Sequence, residues 1–173
     1  MTFAAALPVI LAHEGLWSDH PSDPGGATMR GVTKRTWEAW VDRSVTKAQL
    51  RQLTVADVAP LYKARYWDAV RGDDLPPAVA LVAFDMAVNA GPSRAARMLQ
   101  ETVGVMPADG VIGPRTLASV ATFARGHGVA EIVRAYSNRR RAYYRSLKTF
   151  STFGRGWLRR VTETETAALK MVG

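Results

Sequence analysis

The chain has 173 residues, 47% of them hydrophobic and 22% charged, with no cysteine; it can bury a sizeable core, shows no sign of disorder and excludes a disulfide framework. Its net charge of +8 is lopsided, with nine Lys/Arg against ten Asp/Glu over residues 1–90 and fourteen against five over residues 91–173. The second half therefore carries a field that suits polyanions or serves as a solvated basic face, and no run reaches the roughly 20 apolar residues of a membrane span.

The pattern is helical nearly throughout, with no long alternation of period two, so the class is all-α. Residues 2–15 form an apolar first helix, followed by an Asp/Pro/Gly-rich loop over 18–31. Thr33 caps a helix running to about Val41, with Trp37 and Trp40 on one side. Thr46 with Gln49 reads as a capping box, and Thr54 with Asp57 as its Asp variant, so two short helices start there. Tyr62, Tyr66 and Trp67 lie at the end of the second. Asp73 to Pro77 is a break, and Ala78 to Ala90 is apolar enough to be the central buried helix. Gly91-Pro92-Ser93 punctuates the chain before a helix over 94–103. The turn-rich stretch 104–114 precedes helices near 115–124, 129–147 and 156–171. With no internal repeat, the one natural division lies near residue 92, giving a lobe over 1–92 and another over 93–173.

Glu14 closes the apolar run of the first helix and is followed at once by the loop. A carboxyl held against apolar surface keeps its proton to higher pH, and a carboxylate at a helix C-terminus opposes the helix dipole. Both suit a general acid, and glycosidic hydrolysis needs such a group together with a second carboxylate that activates water or attacks carbon. Asp23 and Asp19 are candidates for that second group. Asp before Pro-Gly-Gly is also a common turn former. Gly25, Gly26 and Gly31 allow tight turns and close approach of backbone.

The order Glu14-Gly15, Pro21, Asp23-Pro24-Gly25-Gly26, Thr28, Gly31-Val32-Thr33 resembles the signature of the family 108 glycoside hydrolases, lysozyme-like N-acetylmuramidases. Phe84-Asp85, Ala87-Val88-Asn89 and Gly91 resemble the second block of that family. Asp109 to Pro114 with Thr116-Leu117 is similar to the peptidoglycan-binding segment that follows, and Phe153-Gly154-Arg155-Gly156-Trp157 to the closing pattern. This chain departs at Leu16-Trp17, where the family carries Gly-Tyr, and at Asp19-His20, where it carries Asn-Asp.

The resemblance implies a lysozyme-like helical bundle with its active-site loop after the first helix. It implies cleavage of the β-1,4 bond between N-acetylmuramic acid and N-acetylglucosamine of peptidoglycan. Glu14 is then the acid, and Asp23 with Thr28 has a spacing similar to the Glu, Asp, Thr constellation of phage lysozymes, where the latter two position water. Trp17 keeps a ring for stacking on sugar, with Asp19 in reach of the loop, and Asn89 suits an acetamido group. Asp85, in an apolar run, needs a partner or a proton; the expectation is that it braces the Glu14 loop through Asn89 or a threonine. The other aromatics at helical spacing read as core.

His13, His20, Asp19 and Asp23 lack a standard zinc spacing and are too few in acidic ligands for a calcium loop, so neither metal nor cofactor is expected. Arg139-Arg140-Arg141 with Arg134, Arg145, Tyr136, Tyr143 and Tyr144 forms a basic aromatic helix. It reads as a surface helix with tyrosines inward and arginines on solvent or carboxylates, ahead of a nucleic-acid binder. A non-catalytic wall-binding module is the other rival. Phe3 to Ala12 lacks the basic flank of a signal peptide and contains Pro8. The expected partner is peptidoglycan, with neither nucleic acid nor membrane insertion. The chain would be made in the cytoplasm and reach the wall or periplasm through a holin, a phage-like particle or a secretion apparatus.

Overall fold

A computed structural model describes residues 1–19 and 26–172. Its α-helices there are α1 Phe3–Leu11, α2 Lys34–Val41, α3 Lys47–Arg51, α4 Val55–Tyr62, α5 Pro77–Ala90, α6 Pro92–Thr102, α7 Pro114–His127, α8 Val129–Arg145 and α9 Phe150–Leu169. A π-helical turn, Lys63–Trp67, prolongs α4, and a 3-10 turn spans Gly72–Asp74. Three two-residue strands, β1 Trp17–Ser18, β2 Thr28–Met29 and β3 Val32–Thr33, form a small antiparallel sheet in that order. The fold is thus mostly α, as the periodicity implies; the sheet leaves no trace in the sequence pattern, because two residues are too few to show alternation. Among the described residues no helix is long and apolar enough to cross a membrane.

The backbone groups into two units, residues 7–64 and residues 1–6 with 65–173. In the smaller unit the caps behave as their sequences imply. Thr33 Oγ accepts from the Thr36 amide, and Thr46 with Gln49 and Thr54 with Asp57 each close a reciprocal capping box. These bonds satisfy amides that a helix start would otherwise leave open. Leu7, Ile10, Met29, Val32, Trp37, Leu50, Val58 and Tyr62 are among its buried side chains.

In the larger unit, α5 is apolar on every side but for Asp85 and Asn89. Ala78 through Ala87 are all buried, which a helix tolerates only when neighbours surround it. Here α6, α8 and α9 pack on it. Pro77 and Pro92 stand in the first turns of α5 and α6, where a missing N–H costs nothing. Phe3, Trp67 and Phe84 meet edge-on or tilted at 5.4–5.9 Å. The chain break at residues 91–93 is a sharp turn inside this unit, and the structural division falls after residue 64. Helix α9 starts at Phe150, six residues before the expected position. Gly154 and Gly156 read as a break, but Gly154 lies under the Phe150 ring, where a Cβ would stand 2.4 Å from a ring carbon. Close packing, not flexibility, sets that glycine.

Candidate active site

The first helix ends at Leu11, four residues short of expectation. The chain then tightens, with the His13 amide donating to Ile10 O at 3.0 Å and the Glu14 amide to Leu11 O at 3.2 Å. This tightened turn carries Glu14 past the end of the helix, where it is half-buried.

The Glu14 carboxyl rests on a hairpin. β1 pairs with β2 through Trp17 opposite Met29 and Ser18 opposite Thr28, and β2 pairs with β3 through Thr28 opposite Thr33 and Met29 opposite Val32. Between Met29 and Val32 lie only Arg30 (φ 50°) and Gly31 (φ 74°). Positive φ at both central residues is the two-residue turn whose twist suits a hairpin. Glycine takes that conformation freely; arginine adopts it at a cost of about 1 kcal/mol or more. Three bonds hold Arg30 there: its amide donates to Leu16 O at 2.8 Å, its Nε to Leu53 O at 3.0 Å, and its carbonyl accepts from the buried Tyr62 hydroxyl at 2.9 Å.

Gly31 is where the Glu14 carboxyl and the hairpin meet. A Cβ built there would lie 2.5 Å from Tyr62 Oη, 2.9 Å from Glu14 Oε2 and 3.1 Å from Glu14 Cγ. The carboxyl thus sits on bare backbone with the tyrosine hydroxyl beside it, while Gly31 itself is exposed. Tyr62, read from sequence as core, is core and also braces the site. No sequence signal joins positions 14, 31 and 62.

Of the other candidates in this unit, Thr28 is half-buried on β2 of the same hairpin. Its hydroxyl donates to Gly26 O at 3.4 Å, long for an O–H···O bond and so readily exchanged for water. Trp17 keeps a half-exposed ring under the Arg51 guanidinium, 5.5 Å from its centroid. Both Asp19 carboxylate oxygens hold the Lys47 ammonium, at 2.9 and 3.0 Å. Asp23 and His20 lie outside the described residues. Among the described residues no group of three or more His, Cys, Asp or Glu could hold a metal.

Residues 7–91 match the family model described as glycosyl hydrolase 108, and residues 94–162 match one described as a predicted peptidoglycan domain. A solved structure of SagA from Brucella abortus is similar over 98% of this chain and 95% of its own, at 44% identity and a TM-score of 0.84. The chain belongs to glycosyl hydrolase family 108. Comparison with curated proteins gives no match. At the level of the family, this is a glycoside hydrolase of lysozyme-like, mostly α fold that acts on peptidoglycan.

In the family 108 chain, Asp85 does not bond Asn89 or a threonine, contrary to expectation. It is fully buried, and its oxygens are taken by Arg140 Nη2 at 2.7 Å and by Arg160 Nε at 2.9 Å. Burial pushes its carboxyl up, but the Arg140 and Arg160 charges outweigh this and hold it below the ordinary aspartate value. Asp85 is therefore an ionised core residue, closed to substrate and joined to α8 and α9 where the sequence suggests a brace for the Glu14 loop. The physical reason is that two guanidiniums from α8 and α9 enter the same apolar core, and a charge pairs with opposite charge before it pairs with an amide. Asn89 is exposed, and its Oδ1 accepts from the Tyr144 hydroxyl at 2.5 Å. The arginine run is spent on carboxylates: Arg139 on Glu101, Arg140 on Asp85, and Arg141 on Glu165.

The segment from Asp109 to Thr116 is a knot tied by one side chain. Buried Gln100 donates to Asp109 Oδ1 at 2.7 Å, Val111 O at 3.0 Å and Thr116 Oγ1 at 3.2 Å, and accepts from the Gly110 amide at 2.9 Å. Those motif residues hold the loop, while Val111 stands 66% exposed on it.

Proposed function

We propose that the chain is an N-acetylmuramidase, cleaving the β-1,4 bond between N-acetylmuramic acid and N-acetylglucosamine, with Glu14 as general acid. The observation that carries this is the seat of Glu14: a half-buried carboxyl beyond a helix end, placed on the exposed backbone of Gly31, which has no side chain of its own to cover it. A substrate lying along the hairpin meets that oxygen first.

In this reading Glu14 gives its proton to the bridging oxygen as the bond from that oxygen to the anomeric carbon breaks. A water adds to the carbon, and its proton passes to a carboxylate. Asp23 is that carboxylate, with Thr28 holding the water through a hydroxyl whose own bond is weak. Asp19 is the poorer choice because Lys47 already occupies both its oxygens. Trp17 offers a ring to a neighbouring sugar. The site of action is the cell wall, and a holin, phage-like particle or secretion apparatus as the carrier is inferred from the kind of activity alone.

Digestion of purified peptidoglycan, followed by borohydride reduction and sugar analysis, tests the bond. Muramic acid at the new reducing ends is expected; N-acetylglucosamine there overturns the muramidase reading while leaving a hydrolase, and no new ends at all leaves a wall-binding module.

A further inference from the structure

Three helices of the larger unit bring a cation and a line of rings together. The Arg94 guanidinium of α6 lies 4.5 Å over the Tyr143 ring of α8. Tyr143 touches Tyr144 at 5.4 Å, Tyr144 stacks on Trp157 of α9 at 5.3 Å with 27° between planes, and Trp157 meets Phe153 at 5.7 Å. Exposure rises from the middle of the line outward. Tyr144 is buried, Tyr143 and Trp157 are half-buried, and Phe153 is 54% exposed. A core cluster would close over its largest rings; here Trp157 and Phe153 stay open to solvent at one end, as rings that take a ligand do.

Polar groups are set beside the rings. Tyr144 accepts from buried Arg140 Nη2 at 3.4 Å and donates to Asn89 Oδ1 at 2.5 Å. The amide oxygen of Asn89 is thereby fixed on the tyrosine, and its NH2 group faces the other way on an exposed residue. At the far end Arg94 presents an exposed cation. Rings, an amide donor and one cation in a row match a polymer of N-acetylated sugars carrying carboxylates. They do not match a phosphate backbone, since Arg139, Arg140 and Arg141 are each engaged by a carboxylate.

We propose that this strip is a glycan-holding subsite: acetylated hexosamine rings lie on Trp157 and Phe153, Asn89 donates to an acetamido carbonyl, and Arg94 takes a carboxylate of the stem peptide. The inference rests on the peptidoglycan reading above and adds the residues by which the chain grips its polymer.

The test uses the full chain carrying Glu14→Gln, so that binding is read without turnover, with two probes: insoluble peptidoglycan in a sedimentation assay and a soluble β-1,4 N-acetylglucosamine hexamer, which lacks carboxylates. Phe153→Ala and Trp157→Ala are expected to weaken both by about tenfold each. Arg94→Ala weakens only the peptidoglycan arm, by about threefold. Trp157→Phe keeps a ring and restores most of the binding, and Phe153→Ala removes a half-exposed side chain, so the test survives misfolding of Trp157→Ala. Affinity of folded Phe153→Ala within about twofold of its parent for both probes overturns the subsite. If wild type still releases reducing ends in that case, the activity stands without the subsite; strip-dependent binding with no release keeps the subsite and removes the activity.

Discussion

Replacing Gly31 with alanine tests the seat of Glu14 in one atom. Residue 31 has φ 74°, which costs an alanine about 1–2 kcal/mol. The added Cβ would stand 2.5 Å from Tyr62 Oη and 2.9 Å from Glu14 Oε2, where ordinary contact begins at 3.4 Å. Tyr62 is buried and cannot retreat without giving up its bond to Arg30 O, worth about 1 kcal/mol. The expected loss of stability is thus about 2–3 kcal/mol by urea unfolding with linear extrapolation. Glu14 is also displaced by about half an ångström, and misplacements on the scale of 1 Å cost about a hundredfold in rate. Clearance of peptidoglycan suspensions should fall by about tenfold or more. Gly104→Ala is the control: its φ is 76° with nothing within 4 Å of a Cβ, so it should cost the backbone share alone, about 1–2 kcal/mol, and leave clearance unchanged. If Gly31→Ala loses no more stability than Gly104→Ala and clears peptidoglycan like wild type, Glu14 does not sit on the hairpin and the reasoning fails.

Asp85→Ala leaves two guanidiniums in the core without their counter-charge and should cost about 3–5 kcal/mol in the same unfolding measurement. Because the Asp85 carboxyl is held below its ordinary value, its contribution is fully present above the unfolded value near pH 4 and is lost as pH falls through the lower folded value. A fall in wild-type stability below about pH 4 that is missing in Asp85→Asn is the expected signature. Gln100→Ala should cost about 2–3 kcal/mol and speed amide exchange at Gly110 and Val111. Thr46→Ala and Thr54→Ala should each cost about 1 kcal/mol, read as separate shifts in the urea midpoint.

Much of this molecule was legible in its sequence because much of it is local. The boxes at Thr46 and Thr54 and the cap at Thr33 are three-residue statements, and each stands where the spacing puts it. The apolar run after Pro77 reads directly as a surrounded helix. What failed to show depends on distance along the chain or on elements too short to have a period. Asp85 announced that it needed a partner, but its partners lie 55 and 75 positions away. The sheet consists of pairs of residues. The start of α9 was obscured by glycines that serve packing. The place of Glu14 before the loop is visible in the sequence, whereas its contact with Gly31 and the nearness of Tyr62 exist only once three segments have met.

The rate of peptidoglycan solubilisation by Glu14→Gln against wild type, both shown folded by circular dichroism, bears most directly on the central claim. A carboxyl that donates the proton cannot be replaced by an amide of the same shape, so the rate should drop by at least about a hundredfold. A folded Glu14→Gln that keeps the wild-type rate to within about threefold would contradict the account.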